Sequence, residues 1–157
     1  MSESAHEAYP ALDELVFRLE RSFDRSGAFY IGVLDNLQHA QVAELLRQEL
    51  SLSNTAVHNF ELHHTALHTV KQRLQQARGE RKRAVLVFWS LEHISEENLQ
   101  TTLGSLCSDR EGWSQTIRDG EICIPTVLLV SRSIYRQYLG IYAIDLLDGV
   151  SSIFLQN

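Results

Sequence analysis

Residues 29–50, FYIGVLDNLQHAQVAELLRQEL, decide the fold. Phe29 to Leu34 is apolar at both parities, the pattern of a strand covered by helices on both faces, as in a parallel sheet. Asp35 and Asn36 bound the run, and either can cap the helix that follows, with Gln38 reaching back from its first turn. Leu37, Val42, Leu45, Leu46 and Leu50 keep helical spacing beyond it. The segment reads as one strand, one turn and one helix.

Upstream, Leu12, Leu15, Val16, Leu19 and Phe23 recur at steps of three and four, which places a helix from just after Pro10 to about Asp24, broken by Gly27. Downstream, Ala56 to Leu62 alternates and carries polar residues, so it is expected nearer the sheet edge. Thr65 is positioned to cap a helix with the stripe Leu67, Val70, Leu74 and Ala77, which should break at Gly79 in the basic turn Arg78 to Arg83. Ala84 to Trp89 is a short two-sided apolar run and is expected to be central. Ser95, followed by Glu96 and Glu97, opens a helix whose buried face is Leu99, Leu103 and Leu106. Pro125 leads into a third buried strand, Thr126 to Val130, and Pro is acceptable at a strand's start. Ser131 to Gly140 reads as a capped helix, Ala143 to Leu147 as a short helical turn and Ser152 to Leu155 as a last strand. Five strands alternating with helices predict an α/β fold, a three-layer sandwich with a mainly parallel sheet, P-loop NTPase-like or Rossmann-like.

The chain has 157 residues, 44% hydrophobic and 22% charged, which fits one domain over 1–157 with residues 1–11 as a flexible lead. Its net charge of −6 disfavours nucleic acid or a polybasic membrane contact driven by overall charge. No apolar stretch is long enough to span a bilayer. Met1 to Tyr9 lacks the basic end and apolar run of a secretory signal. With two cysteines, Cys107 and Cys123, a disulfide framework is excluded and a reduced, cytoplasmic setting is the expectation.

In open α/β sheets ligands sit outside the carboxyl ends of the strands, so the chemistry is sought there. A phosphate loop needs glycines, a Lys and a Ser or Thr, and Leu34 to Ala40 has none of them. The chain's two lysines, Lys71 and Lys82, follow no glycine, and a dinucleotide fingerprint fails on the same segment. Asp35 and Asn36 instead put oxygens where a phosphate would dock, and capping is their expected role. Glu92 stands where an ATPase keeps its magnesium-associated acid, and it reads as a surface acid beside a helix. Ser131 and Ser133 open the helix after the third buried strand. Asp35, Asn36, Glu92, Ser131 and Ser133 are therefore the candidate ligand positions. His64 and His68 share one helical face, and with Glu61 they form an alternative metal set; polar surface histidines are the simpler reading, and no metal is expected. No nucleophile elbow exists. Arg78, Arg81, Lys82 and Arg83 read as a solvated turn.

The succession 29–50, then RAVLVFWSLEHI, LGSLCSDREGW, IPTVLLVSRSIYRQYL and YAIDLLDGVSSIFL resembles the NTPase-like domain of bacterial STAND or NLR-like signalling proteins from about Leu12 to Leu155. In that resemblance Val85 to Glu92 takes the Walker B place, Asp109 to Glu111 precedes the strand Thr126 to Val130, and Ala143 to Leu146 matches the closing phrase. The missing phosphate loop makes this a degenerate version. The resemblance implies a domain without catalysis or cofactor that acts by contact with a protein partner or a second copy of itself, as an adaptor or regulatory subunit. The alternative is a ligand-sensing domain taking a nucleotide or small anion at the strand ends.

Overall fold

The computed structural model describes residues 8–23, 29–35, 38–62, 67–80, 82–95, 97–99, 101, 124–139 and 151–156. Five strands form one sheet: β1 Phe29–Leu34, β2 Ala56–Glu61, β3 Ala84–Trp89, β4 Thr126–Ser131 and β5 Ser151–Phe154. Their order is β2-β3-β4-β1-β5, and every pairing is parallel. Helices α1 (Leu12–Glu20), α2 (His39–Ser51) and α3 (Leu67–Glu80) cover the sheet, and α4 (Arg132–Ile134) runs on into a π-helical turn, Tyr135–Leu139.

Strand alternation divides the apolar residues into two cores, one on each face. On one face Tyr30, Leu34, Val85, Val87, Val127, Leu129 and Ile153 meet the stripes of α1 and α2. On the other, Phe29, Ile31, Val33, Phe60, Leu86, Phe88, Leu128 and Val130 meet Ala77 of α3. This division follows from right-handed crossovers: the chain leaves β1 for one edge through α2 and returns through α3 in the opposite direction, so the two helices lie on opposite faces. The result is the expected three-layer α/β sandwich. β2 lies at the sheet edge and β3 inside it, as its two-sided apolar run requires.

Several local expectations are corrected. Tyr9 is buried and its hydroxyl donates to Gln38 Oε1 at 3.0 Å, so the core begins within the stretch taken as a flexible lead. α1 stops at Glu20, because Arg21 and Ser22 tighten into i→i−3 bonds and the Ser22 hydroxyl donates to Arg18 O at 2.6 Å. α3 continues through Gly79 to Glu80. The helix proposed after Ser95 is described only in part, by Leu99 donating to Ser95 O at 2.8 Å. Asn36, His64, Thr65, Cys107, Cys123, Asp109–Glu111 and the turn 143–147 lie outside the described residues. Among the described residues no helix is long and apolar enough to cross a membrane.

Candidate functional site

After β1 the chain turns to one face of the sheet. After β4, its neighbour, it continues on the other. The carboxyl ends of β1 and β4 therefore flank a topological switch point, the place where open α/β sheets form a crevice. The register pairs Leu34 with Ser131, so the residues that follow, Asp35 and Arg132, emerge side by side.

Asp35 and Arg132 form an ion pair, Nε to Oδ1, with both side chains about one-third exposed. The Asp35 backbone N–H donates to Gln156 Oε1 at 2.6 Å, tying the end of β1 to the segment after β5. Asp35 does not act as the expected cap: α2 begins at His39, its N-cap is Gln38, and the Gln38 side chain makes no cap bond. A carboxylate next to a guanidinium on the adjacent strand has a stronger partner than a neutral amide.

Glu92 lies in the short turn Leu91–His93 after β3. It is not a surface acid, since only 13% of its side chain is exposed. Its Oε1 accepts the backbone N–H of Ser131 at 2.7 Å and stands 3.3 Å from Nε2 of His39, the first residue of α2. The His39 contact is a close approach rather than an aligned hydrogen bond, because among the described residues the buried Nε2 has no acceptor in hydrogen-bonding geometry. Burial pushes the Glu92 carboxyl upward, but the His39 imidazole and the N–H groups of Ser131 and Glu92 itself outweigh it. The net effect holds the group below its usual value. Glu92 thus joins the ends of β3 and β4 to the start of α2.

The turn that carries Glu92 starts from Ser90, a buried residue with φ 77°, in the left-handed region that disfavours side chains. Its hydroxyl donates to Glu61 Oε1 at 3.4 Å. Ser131 caps α4 as expected, its Oγ accepting from Ile134 N at 3.3 Å. Ser133 is exposed within α4.

The crevice therefore brings together Asp35, Glu92 and Ser131, with Ser133 close by in sequence. Glu61 lies at the end of the edge strand, and His68 is on α3, its side chain outside the description. Among the described residues no group of three potential metal ligands stands together. Two members of the site, His39 and Arg132, escaped sequence reasoning. His39 shares the spacing of Val42, Ala43, Leu46 and Leu50, which could have marked it as inward-facing; it is buried, not a surface histidine. Arg132 could be found only once β4 was known to lie beside β1.

No family model matches the sequence, and no curated protein does. Among solved structures the fold matches the Aeropyrum pernix ORC2 protein, determined in ADPNP and ADP complexes. The TM-score is 0.53 at 12% identity, over 99% of this chain and 48% of that one. At this identity the likeness shows the fold alone, an α/β domain built on an all-parallel five-stranded sheet. The chain spans about half the length of that protein.

Proposed function

We propose that this is a degenerate NTPase-like domain of the STAND or NLR-like kind, which does not catalyse nucleotide hydrolysis and works by protein contact as an adaptor or regulatory subunit in a bacterial signalling or defence assembly. The observation that carries the reading is the occupation of the switch-point crevice by the chain's own charges. Glu92 is bound to Ser131 N–H and faces His39 at the start of α2, and Asp35 is paired with Arg132. A helix N-terminus at such a crevice favours a phosphate through its free N–H groups and dipole, and a buried carboxylate beside it opposes a second anion. The turn after β1 has neither the glycines nor the lysine that would offset this repulsion.

The purified domain is expected to show no magnesium-dependent ATP hydrolysis above a Glu92→Ala control, and a nucleotide panel should leave its Tm unchanged. Hydrolysis above that control overturns the reading. A saturable rise in Tm with a nucleotide would instead support a ligand sensor at the strand ends, since a ligand bound to the folded state raises stability by mass action. Arg132 at the crevice mouth is the group that favours this second reading.

A further inference from the structure

The sheet is unevenly protected. Every residue of β1 and β4 is buried, whereas β2 has Ala56 exposed and Val57, His58, Asn59 and Glu61 half-buried. β2 pairs with β3 alone among the described strands. Ala56 and Leu62 donate to Arg83 O and Trp89 O, each at 3.0 Å, so the even-numbered residues direct their backbone groups toward β3. By strand alternation the N–H and C=O of Val57 and Asn59 then point out of the sheet. Such a row is a template for a further strand unless it is blocked. β2 contains no proline. Asn59 also buries a side-chain oxygen, Oδ1, that has no hydrogen-bond partner among the described residues.

Beside this edge, β2 and α3 enclose a cleft of about 240 Å³ lined by His58, Arg73, Gln76, Ala77 and Glu80. The Arg73 guanidinium lies 5.6 Å from the centre of the Phe60 ring. Glu80 accepts from Gln76 at 3.3 Å. Burial, reinforced by the charge of Arg73, holds His58 below its usual value against the pull of Glu80, so Arg73 is the cation of the cleft at neutral pH. The charge of the surrounding sequence is lopsided. Residues 71–83 carry six basic residues (Lys71, Arg73, Arg78, Arg81, Lys82, Arg83) and one acid, a net +5, whereas the remainder, with eight basic and nineteen acidic residues, carries −11. An open strand edge beside Arg73, within the stretch of sequence that concentrates the chain's positive charge, suits an extended acidic segment: backbone bonds supply affinity, and charge supplies selection and steering.

We propose that the outer edge of β2 and its cleft with α3 form the docking site for an acidic, extended segment of a partner protein, which adds as a further strand through the backbone of Val57 and Asn59 and sets a carboxylate against Arg73. The proposal names the surface and partner chemistry of the protein contact inferred above and rests on that reading. The favoured occupant is a peptide rather than nucleic acid, because the cleft lies along a strand edge whose outward backbone groups pair with no other described strand.

The test uses the full chain and a fluorescein-labelled peptide, Ser-Val-Glu-Val-Glu-Val-Ser, followed by anisotropy. Its controls are a lysine-for-glutamate version, a version with alternate backbone nitrogens methylated, and oligothymidylate. The acidic peptide should bind, shift the amide resonances of Val57 and Asn59, and weaken about tenfold or more with Arg73→Glu or in high salt. Arg73→Gln, whose Tm should match that of the parent, should weaken it less. The methylated version should not bind. The proposal is overturned by no binding at millimolar protein, by equal binding of the lysine peptide, by amide shifts confined to other strands, or by tighter binding of oligothymidylate. Its failure while ATP hydrolysis stays absent removes this docking surface and leaves the non-catalytic reading standing; hydrolysis above the Glu92→Ala control removes that reading itself.

Discussion

Glu92 shows how one carboxylate can hold three elements. It receives the backbone N–H at the end of β4, faces the imidazole that starts α2, and belongs to the turn after β3. Its loss leaves the Ser131 N–H without its acceptor and removes the carboxylate that faces His39, at a cost of about 1–3 kcal/mol. Because the folded-state pKa of Glu92 is depressed, its contribution is complete above the ordinary carboxylate range and is lost as the pH falls through the folded value. Urea denaturation should accordingly find Glu92→Gln less stable than the parent at pH 6, with the gap closing toward pH 3; a gap that widened on acidification would contradict the pairing. Gly32 makes a different demand, for space. A Cβ there would stand 2.8 Å from Leu129 Cδ2 and 3.2 Å from Leu155 Cδ1, so Gly32→Ala presses two buried leucines. Overpacking of this kind costs about 1–3 kcal/mol, which for a domain of this size lowers Tm by roughly 2–4 °C per kcal/mol. Thermal melts should show that drop with an unchanged far-ultraviolet spectrum.

At the scale of the element, β3 supplies side chains to both cores. Val85 and Val87 face α2, while Leu86 and Phe88 face α3, and the Phe88 ring stacks on Phe60 with centroids 5.6 Å apart. Phe88→Ala empties a site with no exposure and should cost about 3–5 kcal/mol. Val57→Ala, on the half-buried edge strand, should cost clearly less, and a pair of denaturation curves reads the difference. The same contrast explains what the amino acids disclose. Phe29–Leu34 and Ala84–Trp89 stand at the bounds read from their two-sided apolar runs, because burial on both faces leaves no room for polar residues. The Asp35 cap misled: local chemistry permits it, but β4 brings Arg132 alongside, and a pairing across 97 positions has no local signature. Glu92 was legible as a position after a buried strand, yet its burial depends on His39 and Ser131, brought in by two other elements. The π-helical turn Tyr135–Leu139 likewise follows from tertiary placement, with the Tyr135 ring edge-on to Phe154 at 5.4 Å and its hydroxyl 3.2 Å from Ser152 Oγ.

For the whole molecule, the sheet order makes β1 dependent on distant chain. Its two neighbours are β4 and β5, so the strand that opens the sheet is completed only by the segment that closes it. β5 buries Ile153, and the chain just beyond it buries Leu155, whose N–H donates to Val33 O at 2.9 Å, while Gln156 accepts from Asp35 N–H. Removing residues 151–157 would strip these contacts and open the β1 edge. Burying two such side chains is worth about 3–6 kcal/mol, a large share of the roughly 5–15 kcal/mol that keeps a domain folded. The truncated chain should lose its cooperative unfolding transition or show a much lower denaturant midpoint. A newly opened central strand should also make it self-associate in sedimentation. Restoring Ile153 and Leu155 through a synthetic peptide of residues 150–157 added in trans should recover part of the midpoint. The same peptide with both residues changed to Ser should not, because the closing strand acts through its buried side chains as well as its backbone bonds. If the truncation left the midpoint unchanged, β1 would not depend on β5, and the charged crevice at its carboxyl end would have to be held by β3, β4 and α2 alone.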